Sequence, residues 1–431
     1  MSAFIELYRR IKHFLIPYYL RFWIYPQWMR TCRKKQRSIH KKGTANVVFL
    51  ASCLAMWKYQ GLYDLMRKNR RFNATIILVP FKTFSLLEKE NNINELAGYF
   101  DARGIPYYKF QDIHNPGRWF YNEIRPDLIF YPQPYDNLYD NELDYSHNLY
   151  SLLAYVPYGA LTLRESWIYN TTFINKAWRV YYQSSYNKKL ARIIANNKGK
   201  NVRISGYIST DDFKIVPQNN NHIWKPQGKP KIKIIWAPHF SGIVQPSLLK
   251  RGSFKWLCTF MQTLAQTHKD TIQIAFKPHP KLLSTLYESS DWGKEKTDAY
   301  YAWWTEGENT QLETGQFISL FQTSDAMIHD CNSFIADYLL TGKPVLFTTS
   351  DLQQTEEQLD DFGKAALHAH YLGMTTQDVL NFVRNLENGA PDSKAAERQS
   401  IIQKHLLPPN GKTAAENIYD DLLKAFRFKH E

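Results

Sequence analysis

The sequence predicts an α/β protein of two Rossmann-like domains, preceded by a basic, aromatic N-terminal segment. Three observations carry that expectation. From Asn46 onward, short apolar runs alternate with amphipathic stretches, the pattern of strands layered with helices. A polar break rich in Asn and Pro, over 208–230, divides two such series. In the later series, three apolar runs end in polar side chains suited to one crevice at the carboxyl edge of a parallel sheet.

Taken in order, the first series places strands at 47–51, 75–79, 107–110, 128–131, 153–157, 180–183 and 202–204, each rich in β-branched or aromatic residues. Helical stretches at 55–68, 83–100 and 187–197 separate them. The second series has strands at 233–237, 273–276, 326–329 and 345–348. Its helices are 253–267, an insertion across 282–323, 332–340, and a tail helical from 375 to 426. The expected organisation is therefore 1–45 as an arm, 46–210 as a first domain, 211–230 as a linker and 231–431 as a second domain.

Charge is concentrated in the arm. Residues 1–45 hold eleven Lys/Arg against one acid, Glu6, and so carry +10 of the net +14. A body this close to neutrality disfavours nucleic acid as a partner. The arm is also rich in aromatics, including Tyr18, Tyr19, Phe22, Trp23, Tyr25 and Trp28, while Pro17 and Pro26 are expected to break its helices. Charges interrupt every long apolar run, so it is neither a spanning helix nor a signal peptide. One reading is an anionic membrane surface bound through residues 1–45, at the inner face of the membrane of a cytoplasmic protein. The other is a helix packed on the body with a solvated basic face.

The 4 cysteines, Cys32, Cys53, Cys258 and Cys331, show no Cys-x-x-Cys spacing, which reads as a reducing compartment without a disulfide framework or structural zinc. Neither a P-loop, nor G-x-G-x-x-G after the first strand, nor H-E-x-x-H occurs. No metal site and no cofactor is expected.

Chemistry is expected in the second series. His239 ends Trp-Ala-Pro-His, and His279 stands between two prolines after Lys277, which stop the strand and fix the ring at the sheet edge. Asp330, Asn332 and Ser333 mark a strand running into a helix, where unpaired N–H groups and hydroxyls suit a phosphate. An ordinary N-cap competes for the same groups. Gly411, Lys412 and Thr413 open the last helix and offer a similar seat, with the same rival.

Trp-Ala-Pro-His at 236, Phe-Lys-Pro-His-Pro at 276, Ser-Asp-Ala-Met-Ile-His-Asp-Cys-Asn-Ser-Phe at 324 and Asn-Gly-Lys-Thr-Ala at 410 together resemble the CDP-glycerol glycerophosphotransferase family of teichoic-acid and capsule synthesis. Gly206-Tyr207 with Asp211 falls where that family has a Gly-Tyr-Pro-x-x-Asp turn. The resemblance implies the GT-B arrangement of two facing domains with the active cleft between them. It also implies a CDP-activated polyol donor whose diphosphate meets His279, Asn332, Ser333, Gly411, Lys412 and Thr413; Lys277 and Asp330, from the residue reading, are expected on the same donor. Glycerophosphate would pass to a hydroxyl of a lipid-linked glycan acceptor and CMP would leave, with lysines, helix N-termini and His279 offsetting charge. The family's His-Gly-Thr-Pro motif has its nearest match at Val156–Ala160, with Tyr158 in place of the His that serves as base. A phenol is a poor base at neutral pH, so His239, Asp136 or Glu165 are alternatives for that role. A GT-B glycosyltransferase using a nucleotide sugar, or a non-catalytic membrane scaffold of polysaccharide assembly, are the other readings.

Overall fold

The computed structural model describes residues 18–139, 141–214, 223–243, 252–315 and 317–429. The chain divides into two compact units, one of residues 1–159, 166–211 and 405–431, the other of 160–165 and 212–404. Residues 1–17 of the arm and 215–222 of the expected linker lie outside the described residues.

The first unit is built on a seven-stranded sheet of β1 (Ala45–Ala51), β2 (Phe72–Leu78), β3 (Tyr108–Lys109), β4 (Leu128–Tyr131), β5 (Leu152–Tyr155), β6 (Arg179–Tyr182) and β7 (Val202–Ile204). The order is β3-β2-β1-β4-β5-β6-β7 and every pairing is parallel. Helices cover both faces of such a sheet, which is why β4, β5 and β6 are buried at every residue; β4 and β5 read as unbroken apolar or aromatic runs, and β6 departs only at Arg179, which pairs with Asp421. The direction of strand addition reverses between β1 and β4.

The second unit repeats the plan with β8 (Ile232–Ala237), β9 (Ile272–Phe276), β10 (Thr310–Leu312), β11 (Ala326–His329), β12 (Val345–Thr348) and β13 (Tyr371–Gly373). Its order is β10-β9-β8-β11-β12-β13, again all parallel, with the reversal between β8 and β11. An α/β fold of two Rossmann-like sheets is thus present.

Four departures from the sequence reading stand out. The stretch 55–68 is a 3-10 turn, Leu54–Met56, and a helix, Gln60–Arg67. Trp57 breaks it by leaving helical geometry (φ −73°, ψ 96°) to pack its ring on Phe49 and Phe100. The two outer strands β10 and β13 are additions to the expected set. The tail is interrupted rather than continuous, by Gly389 (φ +61°) and by Pro408-Pro409. Its last helix, Ala414–Phe426, joins the first unit, although the expected second domain runs to 431. Ile418, Leu422, Leu423 and Phe426 enter the first core, and Asp421 binds Arg179 at 2.8 Å, Arg203 at 3.3 Å and the Tyr181 hydroxyl at 2.9 Å.

The arm is partly integrated. Helix Tyr25–Lys42 buries Tyr25, Cys32 and Ile39, and Lys35 and Lys42 reach Asp127 at 3.2 and 2.7 Å. Pro26 does not break the helical run: it follows a π-helical stretch, Leu20–Ile24, and the helix continues through it. For 25–42 the packed-helix alternative holds, while Tyr18, Tyr19, Phe22 and Trp23 stay 51–64 % exposed just ahead of it. Among the described residues, no helix is long and apolar enough to cross a membrane.

Candidate active site

Parallel α/β sheets bind ligands at the carboxyl edge, where the strand order reverses. In the second unit that point lies between β8 and β11, and Pro238-His239 and Asp330 follow directly on those strands. The neighbouring β9 continues past Phe276 by two backbone bonds, Lys277 N–H to Trp236 O (2.8 Å) and His279 N–H to Pro238 O (3.0 Å). The two imidazoles are thereby brought together, with ring centroids 4.6 Å apart and Phe240 4.4 and 4.7 Å from them.

Their tautomers follow from the backbone. Lys281 N–H donates to His279 Nδ1 and Ser241 N–H to His239 Nδ1, both at 3.1 Å. A nitrogen that accepts from an amide carries no proton, so each neutral ring holds its hydrogen on Nε2. Burial against its aromatic neighbours, helped by the Lys281 charge, lowers the His279 pKa from 6.5 to about 4. At neutral pH His279 is therefore an uncharged N–H donor.

Asp330 is fully engaged. Its carboxylate accepts from His239 N (2.5 Å), Ser253 N (2.6 Å) and Ser253 Oγ (2.9 Å), tying β8 and β11 to the start of helix Phe254–Thr267. Burial, opposed by these bonds, raises its pKa to about 6. Lys277 is buried and donates from Nζ to Gly315 O at 2.7 Å. Asn332 is half-buried and Ser333 exposed, at the head of a four-residue helix, Phe334–Asp337, which continues as a 3-10 turn, Tyr338–Thr341. Ser333 is itself in helical geometry and its side chain makes no capping bond.

Gly411, Lys412 and Thr413 belong to the first unit, so they do not share a compact unit with the other expected donor residues. Gly411 (φ +67°) has open space where a Cβ would stand. Lys412 pairs with Asp420 and borders a hollow of about 280 Å³ with Lys68, Asn69 and Tyr419.

The family model for CDP-glycerol:poly(glycerophosphate) glycerophosphotransferase matches residues 184–424. The chain belongs to that family. No curated protein sequence matches it. Among solved structures, a variant of the wall teichoic acid polymerase TagF superposes with TM-score 0.59 at 13% identity, over 99% of this chain and 98% of that one. A putative UDP-N-acetylglucosamine 2-epimerase of Listeria monocytogenes gives 0.54 at 12% identity (89% and 98%), and the UDP-GlcNAc 2-epimerase of Methanocaldococcus jannaschii 0.53 at 12% (88% and 99%). The protein is a glycerophosphotransferase of GT-B-like fold.

Within this glycerophosphotransferase, two expected phosphate contacts need correction. Asp330 spends its oxygens on backbone and Ser253, and its charge would repel a diphosphate, so it is a strut. Thr413 is an N-cap: its hydroxyl accepts from Glu416 N at 3.1 Å and its N–H donates to the Glu416 carboxylate at 2.7 Å. The next two N–H groups, of Ala414 and Ala415, donate to Asp211 at 2.8 Å each. The positive end of that helix is already neutralised by a carboxylate from within the chain.

In the first unit of the enzyme, the carboxyl edge carries Tyr158 after β5, with its phenol pKa raised to about 12 by desolvation and by Tyr135 and Cys53. Although 36 % of its surface is exposed, the shift runs the wrong way for a base. Asp136, also at this edge, accepts from the Tyr145 hydroxyl at 2.7 Å. Sequence reasoning missed Gln133, which donates to Met56 Sδ at 3.4 Å beside the β1–β4 reversal. The signal was available: Pro132-Gln133-Pro134 after a buried strand repeats the Pro-His-Pro device at 278–280.

Proposed function

We propose that this glycerophosphotransferase holds the diphosphate of CDP-glycerol on the β8–β9–β11 edge and passes glycerophosphate to a hydroxyl of a lipid-linked glycan. The paired imidazoles support the reading most directly: two rings whose neutral forms carry their protons on Nε2 stand together at a strand-order reversal. His279 and His239 donate from Nε2 to phosphate oxygens, and Ser333, whose hydroxyl is not used as a cap, with Asn332 adds contacts from the next strand end. A TagF variant with CDPG is among the similar solved structures, which agrees with this donor.

The acceptor oxygen attacks the phosphorus bearing the glycerol, the bond to the CMP oxygen breaks, and CMP leaves with that electron pair. Phosphoryl transfer of this kind places little demand on the nucleophile, so catalysis is mostly positioning and charge stabilisation. An uncharged His279 then serves as a fixed donor to developing charge. The acceptor proton is released late, so the step needs no strong base and puts no demand on the Tyr158 phenol, whose pKa is raised to about 12. The exposed aromatics Tyr18, Tyr19, Phe22 and Trp23, beside a basic helix, support peripheral attachment to an anionic membrane surface, where the acceptor lipid is concentrated.

Thermal shift with CDP-glycerol, CDP-ribitol, CMP and UDP-sugars tests the donor. At a hundred times its dissociation constant, a specific ligand adds about 2.7 kcal/mol. Stabilisation by UDP-sugars and not by CDP-glycerol would overturn the proposal.

A further inference from the structure

At the carboxyl edge of the first sheet, Trp167 and Tyr135 lie with ring centroids 5.6 Å apart and planes 34° from parallel. Trp167 is 53 % exposed, on a 3-10 turn, Ser166–Asn170, that follows β5, and Tyr135 follows β4. Leaving an indole half in water forgoes a large burial gain, and aromatic rings grouped at a sheet edge mark ligand surfaces more than accidents of packing.

Residues flanking both rings are anchored. Tyr169, 1 % exposed and two residues after Trp167, packs on Tyr182 and accepts from Asn187 Nδ2 at 2.9 Å. Pro134 restricts the backbone before Tyr135, and Asp136 just after it is fixed by the Tyr145 hydroxyl at 2.7 Å. Such a platform is organised before any ligand arrives. Tyr158 lies near Tyr135 and Gln133, and the Tyr135 loop supplies the Gln133 amide and the Asp136 carboxylate, groups that bond sugar hydroxyls.

Charge selects the occupant. The loop 132–139 contains no Lys or Arg and one acid, Asp136, although Lys82 approaches through a backbone bond to Leu138. Aromatic faces are electron-rich, so they attract the polarised C–H groups on a pyranose face and repel phosphate oxygens. We infer that Trp167 and Tyr135 form a stacking platform for a neutral pyranose ring of the acceptor, and so select a sugar over a glycerophosphate chain end. This rests on the proposed transfer reaction and deepens it.

The test measures binding without turnover. Full-length protein is titrated calorimetrically with a methyl-capped N-acetylhexosamine disaccharide, a glycerophosphate trimer and, separately, CDP-glycerol. Wild type, Trp167→Ala, Trp167→Phe and Tyr135→Ala are compared at matched melting temperatures. The expected result is disaccharide affinity about tenfold weaker in Trp167→Ala, largely kept in Trp167→Phe, with CDP-glycerol affinity unchanged, and saturation transfer to the pyranose C–H protons that disappears in the alanine variant. Wild type that ignores the disaccharide, prefers the trimer, or binds the disaccharide regardless of Trp167 would overturn the inference. Trp167-dependent disaccharide binding without any CDP-glycerol binding would instead sink the donor assignment and leave the platform standing.

Discussion

Asp211→Ala removes the carboxylate that closes the start of the last helix. Two charge-assisted bonds of 2.8 Å, to Ala414 and Ala415 N–H, disappear. Hydrogen bonds to charged groups contribute about 1.5–3 kcal/mol each. Asp211 is half-buried, so water replaces part of each bond and about 1 kcal/mol apiece is the better figure. Loss of the favourable charge at the helix end adds about 0.5 kcal/mol. The helix cannot fray without consequence, because Ile418, Leu422 and Phe426 are wholly buried in the first core. The expected loss is about 2–3 kcal/mol, or roughly 1 M in the urea midpoint of the first unit. Asp211→Asn, retaining one acceptor, should lose about half as much. Circular dichroism in urea measures this, alongside calorimetric CDP-glycerol titration of the folded variants. Donor affinity should change less than twofold. A variant as stable as the parent but markedly weaker for CDP-glycerol would show that those N–H groups hold phosphate, and the sealed-cap reasoning would fail.

Other outcomes follow from the same geometry. Burial lowers the pKa of His279 to about 4, of His370 to about 3 and of His329 well below its ordinary value. Each favours the folded state above pH 6.5 and withdraws that stability, at about 1.4 kcal/mol per pH unit, as pH falls below it. Asp330, raised to about 6, has the opposite sign: its burial favours the fold below the ordinary carboxylate range and costs stability as pH rises through 6. Between pH 6 and 5 the second unit should therefore lose about 3 kcal/mol, and His329→Leu with His370→Leu should flatten the slope in urea titrations. Gly206→Ala should cost about 3–5 kcal/mol and abolish soluble expression, because φ is +91° and the added Cβ would lie 2.2 Å from Pro408 Cα; a normal melting temperature would contradict this. Thr413→Ala, which breaks the capping box, should cost about 1 kcal/mol in urea unfolding and leave CMP release intact.

Legibility in the sequence tracked how local each determinant is. Strands at 128–131, 202–204, 326–329 and 345–348 match the structure residue for residue, since a buried parallel strand is an apolar run bounded by polar turns. Outer strands such as Thr310–Leu312 carry too few apolar residues to show that signal. The neighbouring histidines were readable as strand-end motifs, yet their tautomers depend on amides two residues further on, brought to Nδ1 by the turn that follows each strand. Asp211 stands on a turn motif visible in the sequence, yet its pairing with the head of the last helix, about two hundred residues later, has no local signature. The Ser333 turn shows the limit most clearly: a Ser before a short apolar helix reads as a cap, and packing leaves it uncapped.

The central claim is that the imidazoles beside the β8–β11 reversal grip the donor's diphosphate. Calorimetric titration of CDP-glycerol into wild type and a folded His279→Ala variant tests it most directly. Removing a donor to a charged oxygen should weaken binding at least tenfold, the equivalent of about 1.4 kcal/mol. Equal affinities in the two proteins would contradict the account.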